Sequence, residues 1–290
     1  MSFPDALKTC AAEVITHLDA QIATHADLPV VHAMRYAVAG GKGLRGYLVM
    51  EAAALHDMPR ARALWPAGAI EAIHAFSLVH DDMPCMDDDD LRRGQPTVHR
   101  KWDEATAVLA GDALQTLGFE MVCDPRCHDM AAVRAELALT LARATGARGM
   151  VLGQALDIAA ETAASPLTLD EITALQAGKT GALISWSAQA GALMAQADPQ
   201  PLRLFAEALG LAFQIADDIL DVEGDAAVAG KRLQKDADAG KATFVSLLGL
   251  DGAKARAVAL VEEAEAALDP YGPAAHSLRE AARFVISRDK

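Results

Sequence analysis

Aromatic side chains are scarce in this chain, at 4% of 290 residues, and few runs are β-branched, while alanine is abundant. Sheets draw on aromatic and β-branched side chains and helices on alanine and leucine, so the shortage disfavours a sheet-built fold. Cysteine is also sparse. Cys10, Cys85, Cys123 and Cys127 show no disulfide framework in a chain of this length. Cys123, Cys127 and His128 lack a second ligand pair nearby and read as ordinary residues of a reduced, cytoplasmic protein. Positive charge runs short as well: 26 Lys and Arg against 40 Asp and Glu leave a net charge of −14. That surface repels nucleic acid and excludes it as a partner. The opening residues, MSFPDALKTCAAEV, have neither the basic nor the apolar stretch of a secretory signal. Thr180 to Ala197 carries no charge, but Ser185, Ser187, Gln189 and Gln196 mark it as a buried helix instead of a membrane span.

What the chain has is apolar spacing of helical period, with 52% hydrophobic residues to fill a large core. Helices are predicted over about 5–24, 44–55, 66–82, 103–121, 131–160 with glycine interruptions, about 170–197, 202–222, 243–249, 252–268 and 274–287. Thr168-Leu169-Asp170-Glu171 is a capping box and starts one of them. Pro84 ends the helix before it, because proline lacks the amide donor and clashes one turn back. Residues 87–97 are polar and irregular, and 223–242 read as a mobile loop. Connections are short and no linker or repeat interrupts the chain. The expectation is a single domain over 1–290, all-α, built as one large helical bundle.

Two aspartate clusters carry the chemical information. The first runs His80-Asp81-Asp82-Met83-Pro84-Cys85-Met86-Asp87, with Asp88 to Asp90, Arg92 and Arg93 following. The second is Asp217-Asp218-Ile219-Leu220-Asp221. On a helix Asp217 and Asp221 share a face, and Gln214 joins it one turn earlier. Apolar neighbours surround these acids, so a solvated charge run explains them poorly. Mutual repulsion and desolvation would be relieved by a cation, and carboxylate oxygens suit Mg²⁺. Asp81 and Asp87 are six apart, off-phase for a continuous helix, so the break at Pro84 must turn the chain to bring them together. Basic residues accompany the acids: Lys42 and Arg45 at a glycine-rich turn, Arg92 and Arg93, and Lys179, Lys231 and Lys241. Acids that hold metal, beside forks that match phosphate oxygens, describe a diphosphate site.

With these segments the chain resembles the trans-isoprenyl diphosphate synthases, the family of farnesyl and geranylgeranyl diphosphate synthases. The similarity runs through GGKGLRG at 40–46, IHAFSLVHDDMPCMDDDDLRRGQPTVH at 73–99, GQALDIAAE at 153–161, KTGALI at 179–184 and FQIADDILDVEGD at 213–225, with GK at 230–231 and 240–241. The resemblance implies an isoprenoid synthase fold with a central cavity and a homodimer. It implies that Asp81 and Asp87, with Asp82, bind two Mg²⁺ ions and that Asp217, supported by Asp218 and Asp221, leads a third. It implies that Arg92, Lys179 and Lys231 contact the allylic diphosphate, with Lys241 in a matching basic position. Lys42, Arg45, His74 and Arg93 would hold isopentenyl diphosphate, and Thr180 and Gln214 would line the path of the forming cation. Phe76, with Ser77 nearer the metals, resembles the chain-length position of the bacterial farnesyl type. The expected product is therefore C15, with C20 and C10 as alternatives. One departure stands out: the family often reads GGKRLRP, whereas Gly43 and Gly46 occupy two of those places here. They predict a more flexible turn.

Two rivals are weaker. A terpene cyclase mixes Asn, Ser or Thr with Glu in its second metal motif, and has no need of Lys42, Arg45 and His74. A non-catalytic relative typically loses aspartates from one motif, and both motifs are intact here.

Overall fold

A computed structural model describes residues 2–163, 165–223 and 242–287. Lys231, Lys241 and nearly all of the predicted loop at 223–242 lie outside the described residues. The described chain is helical apart from one two-stranded ribbon, and it divides into two compact units.

The first unit comprises residues 1–139 with 190–197. Its helices are α1 (Phe3–Ile22), α2 (Pro29–Val38), α3 (Leu44–Ala54), α4 (Arg60–Asp81), α5 (Val98–Lys101) and α6 (Glu104–Cys123). The ribbon pairs β1 (Leu91–Arg92) with β2 (Gln95–Pro96). Leu18, Ile22, Leu48, Ile70, Ile73 and Leu114 are fully enclosed and form its core. Each such side chain contributes about 1.5–3 kcal/mol of burial. α4 begins at Arg60, not near Pro66, because Ala63 and Trp65 are already buried and packing overrides the local proline. Pro66 therefore sits inside the helix. α2 was not anticipated. It starts at Pro29 with no side-chain cap, so the usual polar start signal is missing.

The second unit comprises residues 140–189 with 198–290. The boundary falls within α7 (Ala131–Thr145) and again within α10 (Ala182–Ala195). Its other helices are α8 (Met150–Glu161), α9 (Leu169–Gln176), α11 (Gln200–Glu223), α12 (Phe244–Leu248), α13 (Leu250–Ala267) and α14 (His276–Ser287). α9 opens on the predicted capping box: the Glu171 amide donates to Thr168 Oγ1 at 3.3 Å, and the Thr168 amide donates to Glu171 Oε2 at 2.8 Å. α11 packs against α13; Phe205, Leu209, Ala212 and Ile215 of the first and Ala253, Ala257 and Leu260 of the second are buried. Between α9 and α10 the chain widens into one π-helical turn, Ala177–Gly181. The uncharged stretch at 180–197 is thus divided, and its regular helix has only 14 residues. Among the described residues no helix is long and apolar enough to cross a membrane.

Candidate functional site

The first acidic segment forms where α4 stops. Asp82 caps the helix, and the chain then doubles back through Met83 and Pro84. The Asp87 amide donates to the Asp81 carbonyl at 2.8 Å, and the Asp89 amide to the Asp82 carbonyl at 3.2 Å. The turn required by the off-phase spacing is therefore present, and it places Asp81 and Asp87 side by side. Asp87 is exposed and Asp81 half-buried. Asp82 differs from both. It is 3% exposed, and its Oδ1 accepts from Arg92 Nε at 2.9 Å and from Arg92 Nη2. Burial raises its pKa against the opposing pull of Arg92. Its role in the structure is to hold Arg92.

The glycine-rich turn stands beside this segment in the same unit. Gly40 and Gly41 have φ of +81° and +87°, a region that L side chains avoid. A Cβ on Gly41 would lie 2.7 Å from Arg93 Cζ, so only glycine lets that guanidinium lie across the turn. Gly43 has φ +63°, and a Cβ there would meet Ala11 Cβ at 2.5 Å. The turn is thus packed, in contrast to the flexibility its two extra glycines suggested. Arg45 follows on the first turn of α3. Its Nε is buried without a hydrogen-bond partner among the described residues. A buried guanidinium N–H in that condition calls for an acceptor, and a diphosphate oxygen is one. Burial, with the charges of Arg45, Arg93 and Arg92, holds the His74 imidazole well below its ordinary pKa, so it is neutral near pH 7. Lys42 is exposed. Lower on α4, Ser77 Oγ donates to the His74 carbonyl at 2.9 Å, and buried Phe76 meets the His80 ring edge-on at 5.7 Å.

In the second unit, Lys179 and Thr180 lie on the π turn, both half-buried. Such turns are rare and often mark functional positions. Lys179 Nζ donates to Asp157 Oδ2 on α8 at 2.5 Å. Two glycines permit this approach. A Cβ on Gly153 would lie 2.0 Å from the Lys179 amide nitrogen, and one on Gly178 would lie 3.0 Å from Gly153 Cα. Gln214 on α11 donates to Gln176 Oε1 at the end of α9. One turn further along α11 come Asp217 and Asp218, then Asp221, all half-buried. Asp218 Oδ2 accepts the Phe244 amide at 2.7 Å and so caps the first turn of α12. Asp157, Gln176 and Asp218 line one cavity of about 70 Å³.

Three functional neighbours escaped the sequence analysis: Glu71, which accepts from the Gly46 amide at 2.8 Å, Asp157 and Gln176. Asp157 lay within the matched segment GQALDIAAE, so its acid was visible there without its partner.

Divalent metal fits these residues on donor chemistry. Among the described residues no three acid, imidazole or thiol groups form a ready cage. Mg²⁺ does not require one, since it keeps several waters and takes one or two carboxylates plus substrate phosphates. Asp81 beside Asp87, and Asp217 one turn from Asp221, are such carboxylates.

Comparison with known proteins agrees with this chemistry. A family model described as polyprenyl synthetase matches residues 29–269. Farnesyl diphosphate synthase of Escherichia coli K12 is 43% identical, with all of both chains covered. Geranylgeranyl pyrophosphate synthase 9 of Arabidopsis thaliana is 40% identical, over 91% of this chain and 75% of that one. Among solved structures, an FPP/GFPP synthase of Zymomonas mobilis aligns with a TM-score of 0.87 and 46% identity, covering 98% of this chain and 99% of the other.

Proposed function

The chain belongs to the polyprenyl synthetase family and has the all-α isoprenoid synthase fold, and from that premise we propose that it is a farnesyl diphosphate synthase. It is a short-chain trans-prenyltransferase that joins dimethylallyl and then geranyl diphosphate head-to-tail to isopentenyl diphosphate, releasing diphosphate. The observation that carries this is full-length likeness to a farnesyl diphosphate synthase with both aspartate motifs intact. Because the family model runs from 29 to 269, through both compact units, the whole chain reads as one synthase domain.

Each group has a place in the reaction. Asp81 and Asp87 would hold metal in the first motif, with Asp82 steadying Arg92. Asp217 would lead in the second motif, with Asp221 beside it and Asp218 tied to α12. The chemistry supplied by bound Mg²⁺, three ions in this reading, is neutralisation of charge gathering on the departing diphosphate. Arg92, Lys179 and Lys231 bind that diphosphate, and Lys241 belongs to the same basic set. Lys42, Arg45, His74 and Arg93 bind isopentenyl diphosphate. A neutral His74 donates a hydrogen bond without adding to the charge of the nearby Arg45, Arg93 and Arg92 guanidiniums. The allylic C–O bond breaks, the isopentenyl double bond attacks the allylic carbon, and a proton leaves to the released diphosphate. Thr180 and Gln214 line the path of the cation, and apolar walls keep water from trapping it.

Phe76 sets the product length in this reading. It lies five residues before Asp81, roughly 7.5 Å along the helix axis, and the resemblance to the bacterial farnesyl type, not helical phase, gives a bulky side chain there this role. The Arabidopsis relative keeps a C20 product as the second reading. A homodimer and a cytoplasmic location belong to the same proposal. All four cysteines are free thiols, as a reducing compartment leaves them. The test is incubation of the purified protein with dimethylallyl diphosphate, isopentenyl diphosphate and Mg²⁺, followed by measurement of product chain length. A C15 product is expected. A C20 product would reassign the enzyme within its family, and no condensation at all would overturn the function.

A further inference from the structure

Helix α3 is preceded by Gly43, which is left-handed and offers no side-chain cap. Its first amides are therefore donors without an intrahelical partner. One of them, the Gly46 amide, is taken by a carboxylate from a different helix: Glu71 Oε1 on α4, at 2.8 Å. A carboxylate at a helix start is favoured by the helix dipole. The fit depends on the glycine at 46. Proline, common at this place in the family, has no amide to give, and a Cβ at 46 would lie 3.2 Å from Val14 Cγ1 and 3.3 Å from Glu71 Cγ.

The same carboxylate faces charge. Glu71 is the acid that supports the charged forms of both Arg45 and Arg93, opposing the burial that lowers each. It also stands one turn before His74 on α4, a spacing that makes the two side chains neighbours. Two groups assigned to isopentenyl diphosphate, Arg45 and Arg93, thus share one acid neighbour, and the third, His74, stands on the same helix as that acid.

We infer that Glu71 is a positioning residue for isopentenyl diphosphate, tying the first turn of α3 to α4 so that Arg45, Arg93 and His74 are held as one anion-binding surface. The inference rests on the prenyltransferase reading for the identity of the anion. Glu71 itself does not touch that substrate; it acts through the Gly46 amide and the two guanidiniums.

The test compares wild type, Glu71→Ala and Glu71→Gln by steady-state kinetics in each substrate and by calorimetric titration with isopentenyl diphosphate. Glu71→Ala should raise the KM and Kd for isopentenyl diphosphate about tenfold, while the allylic KM stays within about twofold. Glu71→Gln still accepts from the Gly46 amide, so it should recover part of that loss but not all. Should Glu71→Ala fail to fold, Glu71→Gln alone carries the test, with a selective rise in the isopentenyl KM expected. Equal rises in both KM values, or a lowered melting temperature with isopentenyl affinity unchanged, would make Glu71 a plain structural tie and overturn the inference. A wild type without turnover, whose isopentenyl binding is still weakened by Glu71→Gln, would sink the function and leave Glu71 standing. Turnover in wild type with unchanged affinity in both variants would do the reverse.

Discussion

The amide of Asp87 donates to the carbonyl of Asp81 at 2.8 Å, closing the turn that sets two acids side by side. The bond is made by main chain alone. Replacing either side chain therefore leaves that bond intact. Asp81→Ala and Asp87→Ala should each lower turnover by orders of magnitude, with stability changed by about 0.5 kcal/mol or less. Turnover near wild type at saturating Mg²⁺ would contradict the metal assignment, and thermal melting supplies the control.

Lys179 and Asp157 form a second pair, the lysine Nζ donating to Asp157 Oδ2 at 2.5 Å. Asp157→Asn should loosen that hold. The expected outcome is a rise in the allylic KM with the isopentenyl KM unchanged, because Lys179 is assigned to the allylic diphosphate. Lys179→Ala should be more severe, about tenfold to a hundredfold in kcat/KM. Initial rates with each substrate varied in turn decide it.

Phe76 is buried and rests on the edge of His80. Phe76→Ala opens space below the first motif and should shift the product from C15 to longer chains. A cost of about 3–5 kcal/mol in stability is expected with it, so assays belong well below the melting temperature. A product that remained C15 would remove Phe76 from any part in chain length.

Burial holds the imidazoles of His17, His56 and His74 below their ordinary pKa. For such groups the unfolded chain binds more protons than the folded one once pH falls to about 6.5. Their stability contribution is present above that value and is lost as pH falls towards the lower folded-state values. Melting temperature should therefore drop between about pH 7.5 and about pH 5.5, and His74→Gln should make the slope shallower. A slope unaltered by His74→Gln would mean that His74 does not titrate as its surroundings require.

Much of this was legible in the amino-acid order because the signals are local. Thr168 and Glu171 announce α9 within one turn, and Asp217 with Asp221 declare their common face by spacing alone. Pro84 foretold the turn at Asp87. Other features depend on distant partners. Glu71 meets Gly46 across 25 positions, Lys179 meets Asp157 across 22, and Gln214 meets Gln176 across 38. A single acid or amide inside a helix gives no sign of such a neighbour. The π turn was hidden for a related reason: it forms where Gly153 and Gly178 bring two backbones together, and no periodicity records that contact.

That contact also fixes a distance. Where side chains fill the space between two segments, drift in their size slowly shifts the spacing. Between Gly153 and Gly178 there is nothing to enlarge or trim, so the gap is a minimum set by bare main chain. A side chain at either position would push the two segments apart and carry Lys179 away from Asp157.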